Sequence, residues 1–480
     1  MNYKMIVHTL GWILMFESAF LLGPTVTALI YAEYTSLIAF LITAGVCLLT
    51  GFLCTVSRPK NRTLRSRDGF VIVALSWIIL SSFGAIPFMI SGVCDSYIDA
   101  LFETISGFTT TGATIFSDVE ILPRSIIIWR SFTHWIGGMG ILVFIMAFLP
   151  LSGGTNMYIM RAESPGPVVS KPVPKIKMAA ALLYVIYIVL TLIQFIMLLF
   201  GGVDAFQAIN IAFSTAGTGG FGFFNSSMGS FSPYVQWVTA IFMVLFSINF
   251  NSYFFLIRRK IKKAFTSEVI AFLIIVTSVT LCITANIRNM PVFANVWDAL
   301  RHSFFTVSSL MSTTGFSTVD FDLWPTFSKT LLVGIMFIGA CAGSTGGGIK
   351  VSRMIVVVKL IFREISTALH PKQVKKITVD GEVVERDVVR SIYAFIFVYI
   401  AIFASAMVII SFDGADLITN FTAVVATMGN VGPGLGGVGP TQNFAFFSPI
   451  SKIALSFCML AGRLELFPML LLFVPSTWKK

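Results

Sequence analysis

The chain has 480 residues, 56% of them hydrophobic and only 11% charged, with a formal net charge of +11. A water-soluble domain carries about 25% charged residues, so this chain cannot build a surface that faces water on all sides, and lipid is its expected solvent. The positive balance does not point to nucleic acid, because 26 of the 33 Lys and Arg fall in a few clusters between apolar runs.

Two lead-in spans are expected near residues 6–32 and 36–56. The first is too long for a cleavable signal, has no small-residue cleavage site and is followed by further spans. Runs without Asp, Glu, Lys or Arg then occupy 69–94, 131–160, 178–203 and 231–257. Each exceeds the roughly 20 residues that cross a bilayer as helix. The basic clusters are Arg58, Lys60, Arg62, Arg65 and Arg67; Arg161, Lys171, Lys175 and Lys177; Arg258, Arg259, Lys260, Lys262 and Lys263; and nine residues within 350–390. Lys4 precedes the first span, and Lys479 and Lys480 end the chain. Alternate loops hold almost none, so the positive-inside rule puts both termini in the cytoplasm. Six scattered cysteines, with no CxxC and no Cys/His cluster, read as small core residues.

After the lead-in spans a pattern recurs four times. An apolar span runs outward. A short segment headed by Asp99, Asp204, Asp298 or Asp416 then ends in a Thr/Ser/Gly turn, and a second span returns. Each segment is too short to cross a membrane but long enough to enter as a half-helix and leave as extended chain. Such backbone is tolerated at membrane depth only when buried or lining a wet cavity. The acidic heads suit the positive N-termini of helices, which turns the C-terminal carbonyls toward a shared cavity where a cation is the natural occupant. The expected fold is all-α integral membrane, ten spans, with four span–pore helix–span repeats in pseudo-fourfold arrangement. The divisions are 1–68 for the two N-terminal spans and a cytoplasmic loop, 69–175, 176–265 and 266–386 for three repeats, and 387–480 for the fourth. The third includes a polar connector near 363–390, in which ITVDGEVV reads as a small hairpin around Asp380-Gly381.

The four turns are TTTGAT, TGGFG, STTGFST and NVGPG. Each offers a glycine where carbonyl oxygens must turn inward to replace the hydration shell of a dehydrated cation: Gly112, Gly220, Gly315 and Gly432. Thr110, Thr111, Thr313 and Thr314 can add backbone and hydroxyl oxygens. Thr218, Gly219, Asn430 and Val431 occupy the matching places. In the second repeat an ungapped alignment selects Gly217 instead of Gly220.

These turns, with HWIGGMG (134–140), GACAGSTGGGIK (339–350), NVGPGLG (430–436) and AGRLELF (461–467), resemble the membrane subunit of the Trk/Ktr/HKT potassium transporter superfamily, closest to the TrkH type. The resemblance covers essentially the whole chain, including two extra N-terminal spans. The family pattern puts the second filter glycine directly before Phe, hence Gly220, and shares the departure Asn430-Val431-Gly432. The resemblance implies selective potassium uptake across the cytoplasmic membrane through a gated pore, with K⁺ as the transported ion and no covalently bound cofactor. It also implies a homodimer and a cytoplasmic ring of nucleotide-binding (TrkA-like) subunits, so that nucleotide binds only the partner.

The glycine-rich stretch Gly343, Ser344, Thr345, Gly346, Gly347, Gly348 cannot hold a helix well at depth. The bland account is a kink or a close helix crossing; the resemblance implies a flexible gating loop below the filter, closed by Lys350. Arg463 stands near the middle of the last span, where a charge is costly and usually functional. Either it opposes cation flow, as the resemblance implies, or it pairs with a buried carboxylate; Glu465, two residues on, would point elsewhere on a helix. Glu103, Arg130, His134, Arg301 and His302 are expected to tie repeats together. The G-x-G-x-x-G match at 434–439 follows no strand, and GSTGGGIK lacks the Ser/Thr of a phosphate loop, so neither signals a nucleotide site. A sodium-permeable relative is the alternative within transport, marked by Ser at a filter glycine. A membrane-embedded enzyme would need a cluster of polar catalytic groups in the spans, and none is evident.

Overall fold

The computed structural model describes residues 1–57, 59, 64–140, 176–372 and 376–479. The basic residues Arg58, Lys60, Arg62, Arg161, Lys171 and Lys175, and the expected span beyond residue 140, lie outside the described residues.

Helices α1 (Tyr3–Phe20) and α2 (Leu22–Ile30) form one long apolar span, and α3 (Tyr34–Val56) returns beside it. They cross where a Cβ on Gly11 would meet the Gly51 carbonyl oxygen at 2.7 Å, and the reverse. Small residues at such a crossing let backbones approach without a water-driven force. The outer face of α3 presents Leu49, Leu53 and Val56, each more than 60% exposed, as a hydrocarbon-facing helix does.

The first repeat follows with α4 (Ser66–Gly84), α5 (Ile86–Ile90), α6 (Tyr97–Phe108) and α7 (Arg124–Gly138). The second has α8 (Ile176–Phe200), α9 (Ala205–Gly217), α10 (Pro233–Ser247), α11 (Phe250–Ile257) and α12 (Ile261–Ala264). The third has α13 (Ser267–Ile287), α14 (Val296–Met311), α15 (Thr326–Ile338) and α16 (Val351–Leu369). The fourth has α17 (Arg386–Ile410), α18 (Leu417–Met428), α19 (Pro449–Arg463), α20 (Phe467–Leu471) and α21 (Pro475–Trp478). Strands β1 (Thr378–Val379) and β2 (Glu382–Val383) pair antiparallel around Asp380 and Gly381, both at positive φ, as the DG motif requires.

Among the described residues six helical stretches are long and apolar enough to cross a membrane unbroken: the two lead-in spans and the first span of each repeat. The returning spans of the first, second and fourth repeats differ from the continuous helix expected from sequence, while a break in the third was expected at the glycine-rich stretch. Each outer half is only 13 to 15 residues, headed by Pro123, Pro233, Pro325 or Pro449, which fits proline's place at a helix start. These helices end at Gly138, Ser247, Ile338 and Arg463. In the second repeat α10 and α11 meet at 92°. Ile248 is extended there, and the Asn249 side chain caps α11 by accepting from the Asn251 N–H at 2.9 Å. The four short helices α6, α9, α14 and α18 lie inside the ring of spans, with their C-terminal halves almost wholly buried.

Candidate ion pore

The short helices are built to enter and stop. Asp204 and Asp416 cap α9 and α18, accepting from Phe206 N at 3.0 Å and Ile418 N at 3.1 Å. Asp99 and Asp298 instead sit third in their helices, and Asn295 caps α14. All four helices therefore carry negative charge at the positive end of the dipole.

Each helix stops in the same way. The chain turns left-handed at Thr110, Thr218, Thr313 and Asn430, with φ of 56°, 57°, 61° and 53°. The next residue donates back five positions: Thr111 to Ser106, Gly219 to Ser214, Thr314 to Ser309 and Val431 to Ala426, all at 2.8–2.9 Å. This is the Schellman closure, normally made with glycine. Threonine there is strained, as residues at functional sites often are. The following residue is glycine with φ of 80°, 76°, 86° and 97°, at Gly112, Gly220, Gly315 and Gly432. Gly220, and not Gly217, thus holds the position equivalent to Gly112. Gly217 ends α9, where a Cβ would collide with the His134 backbone.

The four turns meet. A Cβ on Gly112 would overlap the Gly219 carbonyl oxygen, one on Gly220 that of Thr314, and one on Gly315 that of Val431. One on Gly432 would meet the Thr111 carbonyl oxygen, closing the circle. Four glycines therefore abut four carbonyls in cyclic repeat order. A cavity of about 130 Å³ touches all four glycines and continues past Thr114, Asn225, Ser317 and Thr441.

The expected threonine oxygens divide. Thr111 and Thr314 turn their hydroxyls to Thr109 (2.8 Å) and Ser312 (2.6 Å), and Asn430 Nδ2 donates to the Thr111 hydroxyl at 2.9 Å across repeats. Their carbonyls remain for the ring. The Thr110 hydroxyl is buried without a protein partner. The Thr218 hydroxyl donates to Gly217 O at 2.6 Å.

Side chains behind the turns fix them. Glu103 accepts from Arg130 Nε at 2.8 Å and from Ile115 N at 2.9 Å, with both charged side chains at most 2% exposed. Arg130 also reaches the Gly222 carbonyl of the second repeat at 3.2 Å and lies over the Phe221 ring. His134 Nδ1 donates to Gly107 O (2.7 Å) and its Nε2 accepts from Phe221 N (3.3 Å), a single neutral tautomer joining two repeats. His302 meets the Thr318 hydroxyl at 2.8 Å, and Arg301 pairs with Asp298 in its own helix. Of the five residues expected to tie repeats together, Arg130 and His134 do so; Glu103 bonds within the first repeat, and Arg301 and His302 brace the third locally.

The glycine-rich segment lies against the inner side of this ring. Gly347 N donates to the Thr313 hydroxyl at 2.7 Å, and a Cβ on Gly346 would sit 2.8 Å from Ser312 O. It is a docked loop with many anchors. Cys341 N donates to Ser247 O (3.1 Å), the Thr345 hydroxyl to Phe246 O (3.1 Å), and Phe250 N to Gly343 O (3.0 Å). Arg463 donates to Thr345 O at 2.7 Å and, from the same guanidinium, to Gly137 O and Gly138 O at 2.5 and 2.8 Å. It therefore straps the loop to the C-terminal end of α7. The Lys350 ammonium, buried, donates to the neighbouring Gly346 carbonyl. Both cations converge on adjacent loop carbonyls. Glu465 pairs with Arg353 at 2.5 Å, because the helix ends at Arg463 and Glu465 and Leu466 take positive φ.

One residue escaped the sequence reading. Glu268, buried in the first turn of α13, accepts through a single oxygen from Ala342 N (2.7 Å) and Ser352 N (3.0 Å), clasping both ends of the loop. An acid at the start of a span, just after a basic cluster, was the available signal.

The chain matches the TrkH cation transport protein family over residues 37–480. It is 37% identical, over the full length of both chains, to the Trk system potassium uptake protein TrkH of Salmonella typhimurium. To the TrkG protein of the same system from Escherichia coli K12 it is 33% identical, across 100% of this chain and 99% of that one. The crystal structure of the potassium transporter TrkH from Vibrio parahaemolyticus superposes with a TM-score of 0.90 at 34% identity, covering both chains completely. Fold, full-length similarity and the family match agree that this chain belongs to the TrkH family of cation transport proteins.

Proposed function

We propose that the chain takes up potassium across the cytoplasmic membrane, selectively, through a gated pore whose filter is the ring at Gly112, Gly220, Gly315 and Gly432. It is a transport protein and not an enzyme. The observation that carries the reading is the cyclic seating of four glycines on four carbonyls. Such a ring presents oxygens that replace water around a dehydrated cation. The potassium-uptake names of its full-length relatives support the same cargo. A sodium-permeable member is the second reading; its mark would be a serine at a filter glycine, and all four positions here are glycine.

In this reading the loop of Gly343, Ser344, Thr345, Gly346, Gly347 and Gly348, with Lys350 and Arg463, is the gate. Two like charges about 4 Å apart repel by about 4 kcal/mol at an effective dielectric near 20, enough to hold flux down by orders of magnitude. A cytoplasmic nucleotide-binding ring releases the gate, the protein works as a homodimer, and both termini lie in the cytoplasm. Flux into proteoliposomes, K⁺ against Na⁺, tests the central claim. A strong preference for K⁺ is expected, and equal fluxes would overturn it.

A further inference from the structure

The corner between α10 and α11 serves two neighbours. Its inner side carries the loop: Phe246, Ser247 and Phe250 make the three bonds to Thr345, Cys341 and Gly343 described above. Its outer arm, α11, runs 92° away from α10, and from its end the chain turns at a left-handed Arg259 into the short α12, over the sequence LIRRKIKK at 256–263. Every residue of that stretch is exposed.

Five of the eight are cations: Arg258, Arg259, Lys260, Lys262 and Lys263. Among the described residues none of the five has a carboxylate within ion-pair distance, and Arg258 lies over the Phe254 ring of its own helix. No acid occurs between Phe250 and Glu268. Interleaved with these charges are Leu256, Ile257, Ile261 and Phe265, exposed by 40%, 73%, 63% and 45%. The arm stands at the end of the membrane span α13, which begins at Ser267 and whose 21 residues match the roughly 30 Å hydrocarbon thickness. A segment that follows an arm bent 92° from α10 and leads into the start of the span α13, with basic and large apolar side chains both exposed, matches the interface between headgroups and acyl chains. A docking site for an acidic soluble protein would leave Ile257 and Ile261 in water whenever the partner was absent.

We infer that residues 256–265 bind the headgroups of anionic phospholipids, and that lipid held there steadies the α10–α11 corner on which the loop rests. The arm is a lipid-sensing lever. Polybasic segments gain attraction from an anionic leaflet, and salt weakens it. Because the observed corner is the one that docks the loop, anionic lipid favours the closed gate. This part rests on reading the loop as a gate.

The test is basal K⁺ flux of the purified protein in vesicles of phosphatidylcholine alone and in equal parts phosphatidylcholine and phosphatidylglycerol. Wild type should conduct several-fold less in the anionic vesicles, with the difference shrinking at high ionic strength. Changing Arg258, Arg259, Lys260, Lys262 and Lys263 together to Gln should abolish the difference without lowering the melting temperature. Arg258→Lys with Arg259→Lys should keep it. A wild-type flux indifferent to lipid charge, or a Gln variant that still responds, overturns the inference. So does a response that appears only when an acidic cytoplasmic protein is added, which would assign the surface to that partner. A variant lacking residues 343–348 is measured alongside. If it conducts more than wild type in both lipids, the gate reading stands and the lipid result is judged alone; if it does not, the gate reading itself fails.

Discussion

The ring and the loop below it lie a few ångströms apart and are built on opposite principles. The ring is made four times over. Each quarter ends its helix by the same left-handed residue and the same five-residue return bond, and each glycine rests on the next quarter's carbonyl. The loop exists once. It is anchored to the first repeat through Arg463, to the second at Phe246–Phe250, to the third through Glu268 and Thr313, and to the fourth again through Arg463. On the proposed reading, ion selection needs oxygens fixed at one distance on all sides, which repetition would supply, and a gate needs one element held by bonds that can be released together, which a single loop with side-chain straps would supply.

The largest effect should come from breaking the repetition. Gly112→Ser or Gly315→Ser inserts a Cβ where the neighbouring carbonyl stands. A carbonyl displaced at a cost of only about 1.4 kcal/mol changes relative occupancy tenfold, so K⁺ over Na⁺ discrimination should fall by at least that factor in reversal-potential measurements. Gly217→Ala is the contrast. It should lower the melting temperature through its clash with His134 and leave discrimination intact in the folded fraction. Loss of discrimination there, but not at Gly220, would move the filter.

Releasing the single loop comes next. Deleting residues 343–348, or Arg463→Ala, should raise basal K⁺ flux by an order of magnitude or more without a regulatory partner, while selectivity stays. If Arg463→Ala lowers the melting temperature and leaves flux per folded molecule unchanged, the strap is structural and the contrast between ring and loop loses its functional meaning. Glu268→Gln should have a smaller effect in the same direction, a few-fold, because the amide oxygen can still accept both N–H groups, which one carboxylate oxygen takes in the native chain, but without its charge. Glu268→Ala should exceed it. Equal fluxes in wild type and both variants would remove Glu268 from the gate.

The smallest effect concerns the outer ends of the short helices. The Thr419 hydroxyl, and then the Thr419 and Ile418 N–H groups, hold the Asp416 carboxyl below its ordinary range. Its folded pKa is depressed, so the stabilisation is present above the unfolded value, about 3.9, and is lost as pH falls through the folded value. Asp416→Ala should cost about 1 kcal/mol, as lost caps do. The difference between variant and wild type in thermal unfolding should shrink below about pH 4.

Much of this was legible in the sequence because lipid leaves few ways to arrange a chain. Runs without charge marked the spans, and four Thr/Gly turns after Asp-headed segments marked the ring. The ambiguity between Gly217 and Gly220 had a physical source. Asp99 lies third in its helix while Asp204 caps the next one, so counting from aspartate slips by three residues. The corner at Ile248 was not readable, since Ser-Ile-Asn-Phe contains neither Gly nor Pro; the bend is imposed by Asn249 capping α11 and by the loop bonded at Phe250. The partnership of Glu465 with Arg353 was hidden because continuous helix was assumed through Arg463.

The ring also bears on how the protein is made. Thr111 and Asn430, bonded across the closing joint, are 319 residues apart in the chain. Contacts of such separation form late, after the loop between them has been closed. The carbonyl circle is therefore incomplete until the fourth repeat has entered the membrane and folded back onto the first. A half-synthesised chain contains apolar spans and re-entrant segments but no closed ring. If the ring is the filter and the loop the gate, as proposed, the bilayer receives a conducting path only as the last step of assembly, when the loop, made earlier in the chain, is already present.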